Sequence, residues 1–477
     1  MPNSLSEHDK PLTWSPFALG RTKGRCRSAE IPVITLQRSI YVLISIFGTV
    51  MQSPWQRSSD WRRVLASWRL LCGISIHRFR MKVYKERESG IALKDGKLMP
   101  WAGLLVGQVP GGGDLLSFII SLVWLIPWML ILFYPGFSQK LQMRTILMDV
   151  ERRLAKLKVI RDEVRGRTIE TVKRLGKPSE DPVQKIDQLM EFFTIPPESM
   201  DPYGIVGKLD HLMKIGENQF EKEVRAISPA AEEYQVKNLS NLLDACRTVN
   251  TLYRVVRHYY LLGKKTSNIY LVLQIQMIMP QIMEIAEAYR RASTALGKGQ
   301  PIGDGAGALV AAIITHDKER NRREIAKDTM VSEMDLDGRR LLIVRATGPG
   351  GTTGRTGEAV QKLVEREKKK VQLIITVDAQ LKLEGEDTGK INEAVGVAIG
   401  GTGVEKFRIE EVANKYGIPV HAVLISESLT EAITPMRQSI AKAADEAADR
   451  VKKIVTGMTE AGATVILAGI GNTIGIG

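Results

Sequence analysis

The sequence predicts a protein of two folded parts, one α-helical and one α/β, preceded by a single membrane helix. Three observations predict this: an uncharged apolar run at 115–134, helical periodicity over 138–330, and short apolar runs alternating with amphipathic helices over 335–477. Apolar strands separated by helices indicate a parallel sheet covered on both faces. We therefore expect a helical domain followed by a Rossmann-like three-layer domain with a mostly parallel sheet.

Residues 1–98 are strongly basic and show no sustained helical or strand period. They hold 17 Lys and Arg against 7 Asp and Glu, and so carry +10 of the formal charge of +14 on the 477 residues. We interpret them as an upstream extension of the reading frame, with the start at Met99 or Met81; a disordered basic tail is the alternative. Because the positive charge is concentrated here, we expect no specific nucleic-acid binding.

The uncharged run at 115–134 is long enough to cross a bilayer, since twenty helical residues span roughly 30 Å. A fully buried core helix is the alternative. Residues 99–114 contain no Lys or Arg, whereas Lys140 and Arg144 follow the run. The excess of positive charge after the run places the bulk of the chain in the cytoplasm and the N-terminus outside. We expect a single-pass protein of the cell membrane, with 99–114 as a short extracytoplasmic stub and 115–134 in contact with lipid.

The helical domain at 138–330 opens with an apolar seam whose spacing of three and four residues is typical of helix pairing. The seam consists of Met143, Leu147, Val150, Leu154 and Leu157. Its partner helix lies either within the chain or in a second protomer, and the latter gives a homo-oligomer through 143–157. Further on, the run at 269–285 is apolar but contains three Gln and Glu284, which favours a core helix over a second span.

A short Gly-rich motif follows near the end of this domain. The sequence Q-P-I-G-D-G-A-G at 300–307 places three glycines around one carboxylate, that of Asp304. The functional interpretation is that Asp304 contacts a ligand or metal from a tight turn. The structural alternative is a Gly-rich turn that leads into a buried helix.

The α/β domain is predicted from its alternating elements in order. Strands are expected at 341–346, 371–377, 395–399, 420–425 and 464–468, and helices at 358–370, 405–416 and 430–458. In sheets of this class ligands bind beyond the carboxyl ends of the strands.

Glycines cluster at those strand ends, where backbone N–H groups can approach a phosphate and a following helix N-terminus adds partial positive charge. Asp378 ends the second strand, 21 residues after the first loop, where a dinucleotide fold places a ribose-binding acid. A nucleotide or other phosphorylated ligand is therefore expected, although neither a strict G-x-G-x-x-G nor a P-loop is present. The candidate residues, besides Asp378 and Asp304, are Gly348, Gly350, Gly351, Gly354, Gly357, Gly400, Gly401, Gly469, Gly471 and Asn472.

An acidic loop after the Asp378 strand suggests different chemistry. Glu384, Glu386 and Asp387 surround a glycine, and carboxylates on such a loop suit a divalent metal that activates water. His421 and Glu427 flank a neighbouring strand. A solvated acidic turn is the structural alternative for this loop.

Four motifs carry a resemblance to a known family. They are P-I-G-D-G at 301–305, L-E-G-E-D-T-G at 383–389, V-A-I-G-G at 397–401 and A-G-I-G-N-T at 468–473. From about residue 111 onward the chain resembles an uncharacterised archaeal membrane-anchored family, catalogued as a conserved domain of unknown function. Its members begin near the membrane helix, so residues 1–98 stand outside the resemblance.

The turn G-I-G-N at 469–472 also resembles the turn after the first strand of hydrogenase-maturation endopeptidases, in which nearby acidic residues bind metal. That resemblance covers about ten residues and requires a permuted strand order. Three functions result: a membrane-anchored sensor of a phosphorylated ligand, a metal-dependent hydrolase (a peptidase among the candidates) using 384–387, and a structural membrane scaffold. Whether the protein is an enzyme stays open at this stage.

Overall fold

The computed structural model describes residues 135–193, 204–316, 320–399 and 403–477, together with Val123, Leu125 and Ile126. The three isolated residues are helical and exposed, and belong to the predicted span at 115–134. The rest of that span, the stub at 99–114 and residues 1–98 lie outside the described residues.

The first half of the described chain is a bundle of long helices. They are α1 Pro135–Gly176, α2 Val183–Leu189, α3 Ile205–Ile227, α4 Glu233–Thr266 and α5 Ile269–Lys298. Helix α5 begins where the side chain of Asn268 accepts a hydrogen bond from the Leu271 N–H, and ends at Gly299, which adopts φ +67°. An Asn cap at the start and a left-handed glycine at the end are ordinary helix boundaries.

The apolar seam of α1 packs inside the chain. Val150, Leu154 and Leu157 are buried in one core with α4 and α5, which is the first of the two pairings that the sequence leaves open. Helix α5 is, among the described residues, a helix long and apolar enough to cross a membrane. One of its faces, including Ile275 and Met279, is buried against its neighbours.

The second half is built around a seven-stranded sheet. Its strands are β1 Arg320–Ala326, β2 Thr329–Leu336, β3 Arg339–Ala346, β4 Val371–Leu381, β5 Ile391–Val395, β6 Val420–Glu427 and β7 Thr464–Gly469. Its helices are α6 Ala306–Thr315, α7 Thr356–Glu367, α8 Val404–Tyr416, α9 Leu429–Ile433 and α10 Gln438–Met458. Helices α6 and α10 cover one face of the sheet, and α7 and α8 cover the other.

The sheet is mixed, in the order β1-β2-β3-β7-β4-β6-β5. The central strands β3, β7, β4 and β6 are parallel, as their continuous apolar sequences predict. The outer strands β1, β2 and β5 pair antiparallel. β3 and β4 are the first two parallel strands along the chain, and in a Rossmann sheet such strands are neighbours. Here β7 lies between them, so the strand order differs from the Rossmann order.

Two predicted elements are wrong in detail. The strand expected at 395–399 is not formed; β5 lies earlier, at Ile391–Val395, as an antiparallel edge strand with polar and exposed positions. The single helix expected at 430–458 is two helices, because Pro435 follows α9 and a proline cannot continue a helix. Strands β1 and β2 were not predicted, because the charged side chains of β1 hide its pattern.

Helix α6 falls in the stretch that the sequence analysis places with the helical domain. In the structure it packs against β3, β4 and β7 and against α10. Its residues A-G-A-L-V-A-A-I-I-T are almost all apolar and small, which lets it lie close to the sheet.

Candidate functional site

The carboxyl ends of the four parallel strands lie at one edge of the sheet, here called the carboxyl edge. The turn Gly303–Gly305 brings Asp304 to this edge just before α6. A Cβ on Gly307 would stand 2.2 Å from the Val377 carbonyl oxygen and 2.4 Å from that of Ile470. Only glycine permits this approach, so the Gly-rich motif is what seats Asp304 between β4 and β7.

Glu427 ends β6 at the same edge and is 1% exposed. Within the part of the chain that the structure describes, neither of its carboxyl oxygens has a hydrogen-bond partner. A Cβ on Gly303 would lie 2.5 Å from its Oε2. Burial, and then the charges of Asp304, Asp378 and Glu431, raise the pKa of Glu427 well above its usual value.

Asp304 is held from the other end of the chain. The backbone N–H of Asn472 donates to its carboxylate, while burial raises the pKa of Asp304. Gly471, at φ +129°, lies so close that a Cβ there would stand 1.9 Å from the Asp304 carbonyl oxygen. The turn at 469–472 and the motif at 300–307 are therefore one structure in space, although they are far apart in sequence.

Asp378 lies within β4 rather than at its end, and is 6% exposed. Its Oδ1 accepts a hydrogen bond of 2.8 Å from the Ala379 N–H. Side chains alternate between the two faces of a strand. Val377 packs with α6 and α10, so the next residue, Asp378, faces the other layer. Ile425 shares the core of Val377, so Glu427, two residues further along β6, is on the α6 and α10 side. From there the negative charge of Asp378 helps to raise the pKa of Glu427. We call Asp304, Asp378 and Glu427 the acidic cluster.

Glu431, at the same edge, is a carboxylate whose oxygens all have hydrogen-bond or ion-pair partners. Its oxygens accept hydrogen bonds from the Ser428 N–H at 2.8 Å and from Thr388 Oγ1 at 3.0 Å, and Arg437 pairs with it at 2.6 Å. Burial by itself would raise the pKa of Glu431, but these donors and Arg437 together hold it below its usual value. Glu427, a few residues away, has no such donors among the described groups.

The acidic loop at 384–387 is a surface turn. Glu384 and Asp387 are exposed. Glu386 accepts hydrogen bonds from the Leu383 N–H at 2.9 Å and from Lys390 at 3.1 Å, which lower its pKa in that order. Over 135–193, 204–316, 320–399 and 403–477, no group of three or more His, Cys, Asp or Glu is arranged to hold a metal ion.

The Gly-rich loop after β3 is packed between the two halves of the protein. The Gly351 N–H donates to Asn238 at 2.8 Å, and the Gly354 N–H donates to Thr352 Oγ1 at 3.1 Å. A Cβ on Gly350 would meet α4 at 3.0 Å, and one on Gly348 would overlap the carbonyl oxygen of Ile476. These glycines serve close packing against α4 and the C-terminal segment.

The first turn of α7 already holds a carboxylate. Glu405 Oε2 accepts from the Glu358 N–H at 3.0 Å, and a Cβ on Gly357 would lie 2.3 Å from the Glu405 carbonyl oxygen. A phosphate at this helix N-terminus would have to displace that carboxylate. Of the other candidate glycines, Gly469 packs against α6, and Gly400 and Gly401 lie outside the described residues.

A cleft of about 700 Å³ lies elsewhere, between α1, α2 and α4. Two of its arginines are paired: Arg165 forms two hydrogen bonds of 2.7 Å with Asp187, and Arg254 pairs with Glu191 at 3.2 Å. The nearby Cys246 is buried, and burial raises its pKa to about 11, so its thiol is inert at neutral pH. None of the residues predicted for function lines this cleft.

The structure thus brings Asp304, which was predicted, to the same edge as Glu427, which the sequence analysis noted but did not select. The predicted Asp378 lies in the opposite layer and affects Glu427 only through its charge. The sequence signal that could have identified Glu427 is a carboxylate close behind an apolar run, the same pattern that selected Asp378. Its burial depends on the packing of Gly303 against it, which one sequence does not reveal.

Comparison with known families gives two matches. Residues 123–299 match the family model described as "Protein of unknown function (DUF1512) N-terminal domain". Residues 302–477 match the model described as "Domain of unknown function (DUF1512) C-terminal". No curated protein matches the chain.

Proposed function

The chain belongs to the DUF1512 family, and from the geometry of its carboxyl edge we propose that it is a divalent-cation-dependent hydrolase acting at the acidic cluster. One observation carries the proposal: the buried carboxyl group of Glu427 has no hydrogen-bond partner among the described residues and feels the charge of Asp304. A buried carboxylate is costly unless it is protonated, paired or bound to a metal.

Asp304 and Glu427 are the residues that would hold the cation, with Asp378 adding negative field from the other layer. Two carboxylates suffice for a cation such as Mg²⁺, which keeps several waters as ligands. A bound cation would supply an acidic water and polarise a carbonyl group. A cation bound by both carboxylates would offset the burial and the like charges that raise the pKa of Glu427.

The peptidase class is supported by the arrangement of the turn at 469–472. That turn, which resembles the one in hydrogenase-maturation endopeptidases, meets the Asp304 motif in space despite its place at the far end of the chain. A permuted strand order would give this arrangement. We therefore propose the acidic cluster, and not the loop at 384–387, as the metal site.

The test is cation binding by the full-length protein in detergent, stripped with a chelator and then titrated with Mg²⁺, Mn²⁺ or Zn²⁺. Thermal unfolding and equilibrium dialysis report binding, and hydrolysis of a peptide library reports activity. A cation at about 100 times its Kd stabilises the protein by about 2.7 kcal/mol. We expect this stabilisation in the wild type and its loss in Glu427→Gln and Asp304→Asn.

Glu384→Gln and Asp387→Asn are the matched controls, since both remove an exposed carboxylate of the same sheet edge. They should bind the cation as the wild type does. Equal stabilisation of Glu427→Gln and the wild type would contradict the proposal. Cation binding lost in Glu384→Gln instead would return the site to the acidic loop.

A sensor of a nucleotide or other phosphorylated ligand is the second candidate. Three of the candidate glycines gather at the carboxyl edge, which supports it: Gly348 lies against Ile476, Gly469 against Gly307 and Gly471 against Asp304. Two observations argue against phosphate binding. The N–H groups of Gly351 and Gly354 already donate hydrogen bonds within the protein, and the Glu405 carboxylate occupies the start of α7. Co-purification of a nucleotide-sized mass, detected by native mass spectrometry, would favour this candidate over the hydrolase.

We also propose that the protein is anchored in the cell membrane by 115–134, with the described helices and sheet in the cytoplasm. The uncharged run and the positive charge that follows it support this topology. Retention in the membrane pellet after carbonate extraction would be the expected result. In a membrane-bound scaffold without a small-molecule site, neither cation nor nucleotide would bind.

A further inference from the structure

One end of the helical bundle gathers the start of α1, the end of α4 and the start of α5. Helices α1 and α5 run parallel, since Gln276 donates to Asp149 at 3.2 Å and, further along both helices, Arg167 donates to the Arg290 carbonyl oxygen at 2.9 Å. Helix α4 runs the other way, with Arg161 of α1 stacked over Tyr253. This end is also where α1 begins, directly after the run at 115–134.

Large apolar side chains are exposed at this end. Leu141 and Met148 of α1 are 56% and 59% exposed, and Tyr270 and Met277 of α5 are 73% and 78% exposed. The two helices lie side by side, so these side chains share one region of the surface. A grouped apolar surface on an otherwise polar protein indicates a membrane or protein partner.

The charges around this surface are mainly positive; the acidic residues Asp149 and Glu151 lie just beyond Met148, and Asp149 pairs with Arg153 at 3.2 Å. Residues 135–148 and 245–283 contain no Asp or Glu. They do contain exposed Lys and Arg side chains at the same end of the bundle, namely Lys140, Arg144, Lys264 and Lys265. Apolar side chains within a mainly cationic border complement a bilayer with anionic headgroups.

We propose that this end, here called the tip and defined by Lys140, Leu141, Arg144, Met148, Lys264, Lys265, Tyr270 and Met277, rests on the anionic surface of the membrane. The inference depends on the membrane anchor proposed above and not on the hydrolase. It also explains the composition of α5, one face of which is buried in the bundle while the other carries Tyr270 and Met277. Only the start of α5 would therefore meet the headgroups, while its buried face holds the rest of the helix in the bundle.

The test uses the full-length protein in nanodiscs, with a photo-reactive benzoylphenylalanine introduced at Tyr270, Met277 or Val395. Val395 of β5 is 90% exposed and serves as the control outside the tip. In nanodiscs with anionic phosphatidylserine we expect several-fold more lipid adduct at positions 270 and 277 than at 395. The yield should fall several-fold in purely zwitterionic nanodiscs, and likewise in the variant that combines Lys264→Glu and Lys265→Glu.

The outcomes separate the two proposals. A protein that carbonate extraction releases from membranes would overturn the anchor. A retained protein whose lipid adduct at 270 and 277 equals that at 395 would overturn the contact of the tip with lipid. Cross-links from 270 and 277 to a second copy of the chain would also overturn it, since they would show that the tip is a self-association surface.

Discussion

At the scale of single residues, Glu427 combines burial with an unfilled hydrogen-bonding capacity. Glu431 lies close in sequence and is almost as buried, yet it receives hydrogen bonds from Ser428 and Thr388 and an ion pair from Arg437. The pKa of Glu431 is lowered and that of Glu427 is raised. The pKa values of these neighbouring carboxyl groups are thus shifted in opposite directions, a pattern frequent at functional sites.

We predict that Glu427 makes the metal-free protein less stable as pH rises. The folded state holds the Glu427 proton more tightly than the unfolded chain, so its contribution is complete below the usual pKa of about 4.5. It is lost as pH increases towards the folded-state pKa, at up to about 1.4 kcal/mol per pH unit. Relative to Glu427→Gln, the wild type should lose stability between pH 5 and pH 8 in chemical denaturation with chelator present.

The matched control for this experiment is Glu384→Gln, which removes an exposed carboxylate. Its stability should run parallel to that of the wild type across the same pH range. A constant difference between the wild type and Glu427→Gln at all pH values would show that Glu427 titrates normally.

Two helical glycines should respond to alanine with opposite signs. Gly457→Ala in α10 meets no atom within 4 Å and should stabilise the protein by about 0.5–1 kcal/mol, the usual helix preference for alanine. Gly307→Ala in α6 puts a Cβ against the carbonyl oxygens of Val377 and Ile470, and should destabilise by about 1–3 kcal/mol. Urea unfolding of both variants measures the difference, and stabilisation of both would mean that α6 stands further from the sheet.

At the scale of elements, α4 fixes the Gly-rich loop after β3 to the helical bundle. Asn238 accepts from the Gly351 N–H, and Asn241 donates to the Gly351 carbonyl oxygen at 2.6 Å. Lys237 of the same helix pairs with Asp328 of the turn between β1 and β2. One face of α4 therefore positions two loops of the α/β half.

We expect Asn238→Ala to lower the free energy of unfolding by about 1–3 kcal/mol, because the buried Gly351 N–H loses its acceptor. Hydrogen exchange at Gly351 should accelerate in the same variant. The comparison is Asn414→Ala, an exposed asparagine of α8, for which a change within about 0.5 kcal/mol is the usual surface value. Equal effects of the two substitutions would show that the loop is not held through Asn238.

At the scale of the whole molecule, the two halves share a core. Ile302, before α6, and Ile474, near the C-terminus, are buried among the side chains of the helical bundle. The C-terminal segment is fixed to the loop after β3, since Thr473 Oγ1 donates to the Gly350 carbonyl oxygen at 2.8 Å and the Gly475 N–H donates to the Pro349 carbonyl oxygen at 3.0 Å. The helical bundle therefore borders the carboxyl edge of the sheet.

This shared core predicts that Ile474→Ala weakens both halves. Removing a fully buried Ile side chain costs about 2–5 kcal/mol, and Ile474 is 0% exposed. Hydrogen exchange should show loss of protection in α4 and α5 as well as at the carboxyl edge. Val395→Ala, at a 90% exposed position, should change neither the stability nor the exchange of either half. If Ile474→Ala loses protection only at the carboxyl edge, the two halves unfold separately.

Local patterns in the sequence were enough to predict much of the α/β half. The central strands are continuous apolar runs, and a parallel strand buried on both faces requires such a run. Asp304 and Asp378 could be selected for the same reason, as carboxylates beside glycines or at the end of an apolar run. Loop glycines alone are a weaker guide, because a sequence does not show whether a glycine lies against a ligand or against another backbone. In the structure Gly348, Gly350 and Gly357 lie against backbone atoms.

Tertiary structure decided what the local pattern could not. The antiparallel edges formed by β1, β2 and β5 depend on pairing partners, and the residues of β1 and β5 are largely polar or exposed. The grouping of Glu427 with Asp304 joins positions more than a hundred residues apart, through close backbone contacts at Gly303, Gly307 and Gly471. By itself the sequence determined which segments are buried, because hydrophobicity is a local property. Which carboxylates meet at the carboxyl edge was decided by the fold, because proximity is set by long-range packing.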